Sequence, residues 1–204
     1  MRVLIACEYS GIVRDAFTEA GHYAMSCDLL PTESPGPHRQ GDIRDVLRDG
    51  WNLMIAHPPC TYLANSGVRW LYEKPGRWER LDDGAALFKI LLEAPIDRVC
   101  VENPIPHKYA IDRIGRKYDQ LIQPYQFGHP ETKATCLWLR NLPLLIETNN
   151  VLHLKDTTDK KVWARVHNMT PGKDRQKEIQ KPQPRTIWTF NGYPSRRYFS
   201  CIWR

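Results

Sequence analysis

Long apolar runs are missing from this 204-residue chain. No stretch approaches the roughly 20 apolar residues that a membrane-crossing helix needs. The first residues, MRVLIACEYSG, read as a strand and lack the cleavage region of a secretory leader, so a cytoplasmic protein is expected. Metal-type spacing is missing as well. The six cysteines (Cys7, Cys27, Cys60, Cys100, Cys136 and Cys201) form no CxxC and no Cys/His pattern, which fits a reduced compartment and no bound metal. No GxGxxG occurs, so a dinucleotide phosphate cradle is not supported. Internal repeats and low-complexity tracts are also lacking.

What is present suits one ordinary domain. The chain is 42% hydrophobic and 25% charged, long enough for one sizeable core and hardly for two. Its formal charge of +6 fits a polyanionic partner. The charge is uneven: Lys155, Lys160, Lys161, Arg165, Lys173, Arg175, Lys177, Lys181 and Arg185 crowd one segment, with Trp163 and His167 interleaved. That segment is either a solvated loop or a strip that follows a phosphate backbone.

The hydrophobic pattern alternates between strand and helix. Arg2–Cys7 reads as a buried strand, followed by a turn at Glu8–Gly11 and a helix over Ile12–Ala20, with Ile12, Ala16 and Ala20 at four-residue spacing. A second strand is expected at Ala24–Leu29, a Pro-rich loop at 31–40, a short third strand at Gly41–Ile43 and a helical turn at Arg44–Arg48. Leu53–His57 reads as a fourth strand, Thr61–Arg80 as a polar loop rich in aromatics, Leu81–Glu93 as a helix and Arg98–Glu102 as a fifth strand. Gln120–Phe127 and Ala134–Leu139 look like a hairpin around GHPETK. From Leu142 onward little periodicity is left. This order indicates α/β with a mostly parallel sheet.

In such sheets ligands gather beyond the carboxyl ends of the strands. The turn after the first strand, Asp28, Asp42, Cys60 and Glu102 all fall at such ends. Pro58 and Pro59 fix the backbone just before Cys60 and offer no N–H to continue a ladder, so the thiol is presented at a strand tip. A cysteine that attacks as its thiolate, beside a glutamate able to hold or give a proton, suits addition to a heteroaromatic ring. Asp28 and Asp42 are either caps of the following turns or, for Asp28, a partner for ribose hydroxyls.

Taken in order, these segments resemble the DNA (cytosine-5) methyltransferases, in the short form found in phage and prophage. ACEYSG stands at the cofactor turn, followed by Asp28, by GDI (Gly41–Ile43), by PPC with NSG further along its loop, by ENP, and by FGHPETK; the match runs over residues 1–140. The resemblance implies a Rossmann-like S-adenosylmethionine-dependent methyltransferase fold, with a catalytic and cofactor-binding part over 1–142. Residues 143–204 would be a small, irregular, basic recognition segment with an aromatic tail. It implies S-adenosylmethionine held by Cys7, Glu8, Tyr9, Ser10, Gly11, Asp28, Leu29, Asp42, Ile43 and Pro58. It also implies that Cys60 adds to C6 of a cytosine while Glu102 hydrogen-bonds the ring, that Asn103 fixes the Cys60 loop, and that Pro59, Lys133 and Thr135 complete the catalytic set. The target base must be flipped out of a duplex or already single-stranded. Asn65, Ser66, Arg69, Trp70, Lys74, Arg77 and Trp78, in a mobile loop, would contact the DNA, joined by Lys160, Lys161 and Arg165. A monomer that modifies phage DNA, as in restriction and modification, is the corresponding expectation.

Two departures stand out. Where the family's hairpin carries two arginines (QxRxR), this chain has Lys133 and Thr135, and the tail TIWTFNGYPSRRYFSCIWR lacks the pattern of the family's closing helix. The competing readings are a protein of the same fold that binds nucleic acid or a host protein without turnover, and a C5-modifying enzyme for RNA, a nucleotide or a modified pyrimidine.

Overall fold

A computed structural model of the chain describes residues 1–157 and Trp163. The expected sites at Lys160, Lys161 and Arg165, Cys201 and the aromatic tail lie outside the described residues. Among the described residues, seven strands and four helices follow one another in chain order: β1 (Arg2–Ala6), α1 (Ile12–Glu19), β2 (Tyr23–Asp28), β3 (His38–Gln40), β4 (Leu53–Ala56), α2 (Trp70–Glu73), α3 (Arg77–Leu92), β5 (Arg98–Pro104), α4 (Lys108–Ile114), β6 (Gln120–Ile122) and β7 (Thr135–Arg140).

The apolar runs of β1, β4 and β5 form the centre of one sheet, ordered β3-β2-β1-β4-β5-β7-β6. The first five strands in that order are parallel, and β7 runs antiparallel between β5 and β6. This is a Rossmann-like α/β sheet. Its strand order reverses between β1 and β4, where a crevice opens at the carboxyl ends. Alternate residues feed two cores. Leu4, Ala6, Met54, Ala56, Val99 and Val101 pack with Leu81, Ala85, Phe88 and Leu91 of α3. Val3, Ile5, Ile55 and Cys100 pack on the other face with Val13 and Phe17 of α1. Burial on both faces is why these strands read as continuous apolar runs.

Several expected elements shift. The third strand is His38–Gln40, inside the Pro-rich stretch, and Gly41–Ile43 leads instead into a 3-10 turn at Ile43–Asp45. Arg14 explains the ordered Pro-rich loop. Its guanidinium is fully buried and donates to Ser26 Oγ, Thr32 Oγ1 and the carbonyls of Ser34 and Pro35. Gly11, at φ 78°, starts α1 against that guanidinium, and a Cβ there would lie 2.4 Å from Arg14 Nη2. The stretch Thr61–Arg80 is not a single loop: it holds a 3-10 turn at Asn65–Gly67, α2 and the first turn of α3. The helix begins at Arg77, four residues before the expected Leu81, because Gly76 takes φ 72° and turns the chain into it. The expected hairpin is β6 and β7, with β6 ended by Pro124 in a 3-10 turn. No helix among the described residues is long and apolar enough to cross a membrane.

Candidate active site

The ends of four strands build a cleft of about 440 Å³. Cys7 lines it from the end of β1, Asp28 and Leu29 from β2, Asp42 and Ile43 from the segment after β3, and Pro59 from the segment after β4. One face of α3, Asp83, Ala86, Leu87 and Ile90, closes the opposite wall. The spacing of those four residues is that of a single helix stripe. Asp28 Oδ1 accepts from the Leu30 amide at 3.0 Å. Asp42 caps the 3-10 turn by accepting from Arg44 N at 2.9 Å and pairs with the Arg44 guanidinium. Those bonds from Arg44 hold its carboxyl down at about 2. Asp42 therefore caps the turn and also lines the cleft.

The turn after β1 divides its work. Cys7 faces the cleft, whereas Glu8 serves the framework. The Glu8 side chain is buried, and its carboxylate accepts from Val13 N at 2.7 Å, Arg14 N at 3.3 Å and Ser10 Oγ at 3.1 Å. It thereby satisfies the amides that the start of α1 leaves open. The side chains of Glu8 and Ser10, both expected at the cofactor, are engaged in this cap. Gly11 is buried against Arg14, while Tyr9 is half-buried. Pro59, not Pro58, supplies the proline of the cleft wall; Pro58 is buried behind it.

Beside the cleft, β4 and β5 deliver a second set of groups. His57 N bonds Ala6 O at 2.9 Å and extends the ladder by one residue before the two prolines break it. Cys60 follows at the head of a tight turn, with its carbonyl accepting from Leu63 N at 3.0 Å and Ala64 N at 2.9 Å. The turn is stitched to the segment after β5: Asn65 N donates to Ile105 O at 2.8 Å and His107 N to Leu63 O at 3.1 Å. His107 Nδ1 accepts from Ala110 N, so Nε2 carries the proton and donates to Tyr62 O at 3.0 Å. These bonds do what was expected of Asn103. The Asn103 amide instead donates to Pro104 O, and its buried Oδ1 has no hydrogen-bond partner.

Glu102 is buried, and its Oε2 lies 3.1 Å from His57 Nδ1. Burial is the main influence that raises the Cys60 thiol above its ordinary range; the Glu102 charge adds to it and Lys133 opposes it. The two catalytic candidates and the lysine of the hairpin thus lie within electrostatic reach of one another. Register explains the lysine's place: Pro104 pairs with Thr135 and Asn103 with Cys136, setting the start of β7 beside the end of β5. Thr135 is fully buried and its Oγ1 donates to Lys133 O at 3.3 Å, tightening that bend.

The candidates for nucleic-acid contact spread over the surface beyond Cys60. Asn65 and Ser66 are exposed on their 3-10 turn. Arg69 and Lys74 flank Trp70, 4.2 and 4.4 Å from the ring centroid. Arg77 stacks on Tyr62 at 4.4 Å and donates to Thr61 O. Trp78 packs against the core and meets Tyr72 and Tyr109 edge-on, so it is part scaffold. The residues that sequence reading missed are His57 and the α3 face. The i, i+3, i+4, i+7 spacing of that face was visible, but which sheet edge it covers was not.

No protein-family model matches the chain, and no curated protein matches it by sequence. Solved structures similar to it include a protein described as a DNA modification methyltransferase encoded within a prophage of E. coli: 13% identity, 71% of this chain, 49% of that chain, TM-score 0.43. The Entamoeba histolytica methyltransferase EhMeth is similar at 14% identity, over 74% of this chain and 57% of its own, with a TM-score of 0.47. The S. pombe Dnmt2 methyltransferase is similar at 15% identity, over 78% of this chain and 56% of its own, with a TM-score of 0.44. The chain spans about half of the length of these structures.

Proposed function

We propose that the chain is an S-adenosylmethionine-dependent methyltransferase that adds a methyl group to C5 of cytosine in DNA through a covalent Cys60 adduct. One observation carries the reading. A cysteine and a buried glutamate stand at the carboxyl ends of adjacent parallel strands, electrostatically coupled, next to a cleft that shares Pro59 with the cysteine's own turn. The motif order PPC, ENP and FGHPETK supports it from the sequence.

The cleft suits the cofactor. Its volume of about 440 Å³ lies within the roughly 300–1,000 Å³ of small-molecule sites. Its walls from Leu29, Ile43, Ala86, Leu87 and Ile90 would take an adenine ring, and Asp28 keeps one carboxylate oxygen for ribose hydroxyls. When bound, S-adenosylmethionine supplies an electrophilic methyl group to an electron-rich C5.

The chain's own residues make C5 electron-rich. Cys60 loses its proton to water as its Sγ bonds C6 of the ring. The C5–C6 pair shifts toward C4, the C4–N3 pair moves onto N3, and Glu102 gives N3 its proton. After transfer the C5 proton passes to water, the C5–H pair re-forms the C5–C6 double bond as the Sγ–C6 bond breaks and its pair returns to sulfur, and N3 returns its proton to Glu102. Lys133, at the bend before β7, favours the thiolate. The ring must leave a duplex stack to reach these groups.

Purified protein, methyl-labelled S-adenosylmethionine and mixed-sequence DNA, followed by digestion and mass spectrometry of the nucleosides, tests the proposal. Labelled 5-methylcytosine is the expected product, lost in Cys60→Ala. Label on RNA, on free nucleotides or on another pyrimidine would replace the substrate and keep the chemistry. Transfer that persists in Cys60→Ala would overturn the covalent mechanism.

A further inference from the structure

We propose that His57 is a positioning residue: its Nδ1–H holds the Glu102 carboxyl in orientation and stabilises the carboxylate left when Glu102 gives its proton to the base. The role rests on the proposed C5 chemistry, and nothing in the PPC, ENP or hairpin motifs assigns it. The geometry points to it directly. His57 and Glu102 are both 6% exposed, 45 residues apart in sequence, with Nδ1 3.1 Å from Oε2. They meet because β4 and β5 are parallel neighbours in the register Ile55↔Cys100 and Ala56↔Val101, which puts His57 opposite Glu102.

The protonation pattern follows from the partners. With the acid proton on Oε1, or absent, Oε2 can only accept, so the ring nitrogen facing it carries hydrogen. Oε2 is then the tied oxygen, and Oε1 is left for the ring. His57 Nε2 is buried with no hydrogen-bond partner. A neutral ring leaves there a bare acceptor, the reverse of the usual tautomer, and only the bond to Glu102 favours that form.

This arrangement bears on the transfer of the proton from Glu102 to the ring. When N3 takes the proton from Oε1, a negative charge appears on a buried carboxyl group. An N–H already aimed at its other oxygen stabilises that charge with no reorganisation. The proton moves from Oε1 to N3, the Sγ–C6 bond forms, and Nδ1 keeps its own hydrogen throughout. His57 never touches the substrate; it acts through Glu102.

Two substitutions separate this from a packing role. His57→Asn retains an amide donor close to the position of Nδ1, whereas His57→Leu fills similar space without one. In single-turnover transfer to DNA, His57→Leu is expected to lower the rate about 100-fold, within the usual span for acid–base groups. Its KM for S-adenosylmethionine should stay within about twofold, and His57→Asn should recover at least about tenfold of the lost rate. Equal loss in both variants at matched melting temperature, or full activity in His57→Leu, overturns the proposal. Ring-nitrogen NMR of the free protein reads the pair without turnover. It should find His57 protonated at Nδ1 in wild type and at Nε2 in Glu102→Ala; an Nε2–H ring in wild type also overturns it. A wild-type protein that transfers nothing to any pyrimidine overturns the functional reading and the catalytic role with it. In that case the nitrogen spectrum distinguishes the failures, because the Nδ1–H signature depends on the pair alone.

Discussion

At Cys60, opposing influences compete over one proton. Burial and the Glu102 charge hold it on sulfur, and Lys133 draws it off. A neutral Glu102 removes one of the two restraints, so in the proposed chemistry the state in which Glu102 holds a proton for the base is also the one in which Cys60 ionises more readily. Alkylation of the Cys60 peptide by iodoacetamide, followed against pH by mass spectrometry, measures this coupling. Glu102→Gln should move the profile to lower pH and Lys133→Met to higher pH, each by enough to change the rate at pH 8 several-fold. Identical profiles for the three proteins would mean that the charges are not coupled. Cys60 and Glu102 were legible in the sequence because each ends an apolar run, one behind two prolines and the other in ENP. His57 was not, since it reads as the last residue of a buried strand and its partner becomes a neighbour only once β4 and β5 pair.

Secondary-structure elements were legible where their burial is two-sided or periodic, and lost where a side chain far along the chain decides. β1, β2, β4, β5 and α1 follow the apolar pattern. β3 does not, because His38–Gln40 is short and exposed along the sheet edge, pairing only with β2. α4 is seven residues long and starts at His107, whose ring nitrogen caps it in place of the usual Ser, Thr, Asp or Asn. The Pro-rich stretch before β3 is ordered by Arg14 from α1, a dependence that no local pattern reveals. That gives an element-scale expectation. Arg14→Leu takes a donor from Ser26 Oγ, Thr32 Oγ1 and two loop carbonyls and also removes the Arg14–Asp15 pair. Loss of such buried charge-assisted bonds costs about 3 kcal/mol or more. Urea unfolding should show that loss, and proteolysis should cut first within 31–37. A variant as stable as wild type would mean that the loop orders without the guanidinium.

At the scale of the whole molecule, one sheet carries both the site and its vulnerability to alkali. Its strand order places the cleft over β1, β2 and β4, and sets the candidate nucleophile Cys60 just after β4 and its candidate acid Glu102 on β5. The same packing buries three thiols on β2, β5 and β7. Burial pushes Cys27 up to about 11, and Cys100 and Cys136 up to about 12. In the unfolded chain each returns to about 8.5. The folded state therefore holds protons that the unfolded state has released, so stability is full below about pH 8.5 and falls as pH rises toward the folded values. Well inside that window each thiol contributes a slope of about 1.4 kcal/mol per pH unit. Urea unfolding under reductant between pH 7.5 and 10.5 should show the decline, and Cys100→Val and Cys136→Val should each remove about that slope. Comparison with wild type at each pH cancels the lysines and tyrosines that titrate in the same range. A variant whose slope matches wild type would show that its thiol ionises as easily in the core as in water, contrary to the close packing of β5 against β7.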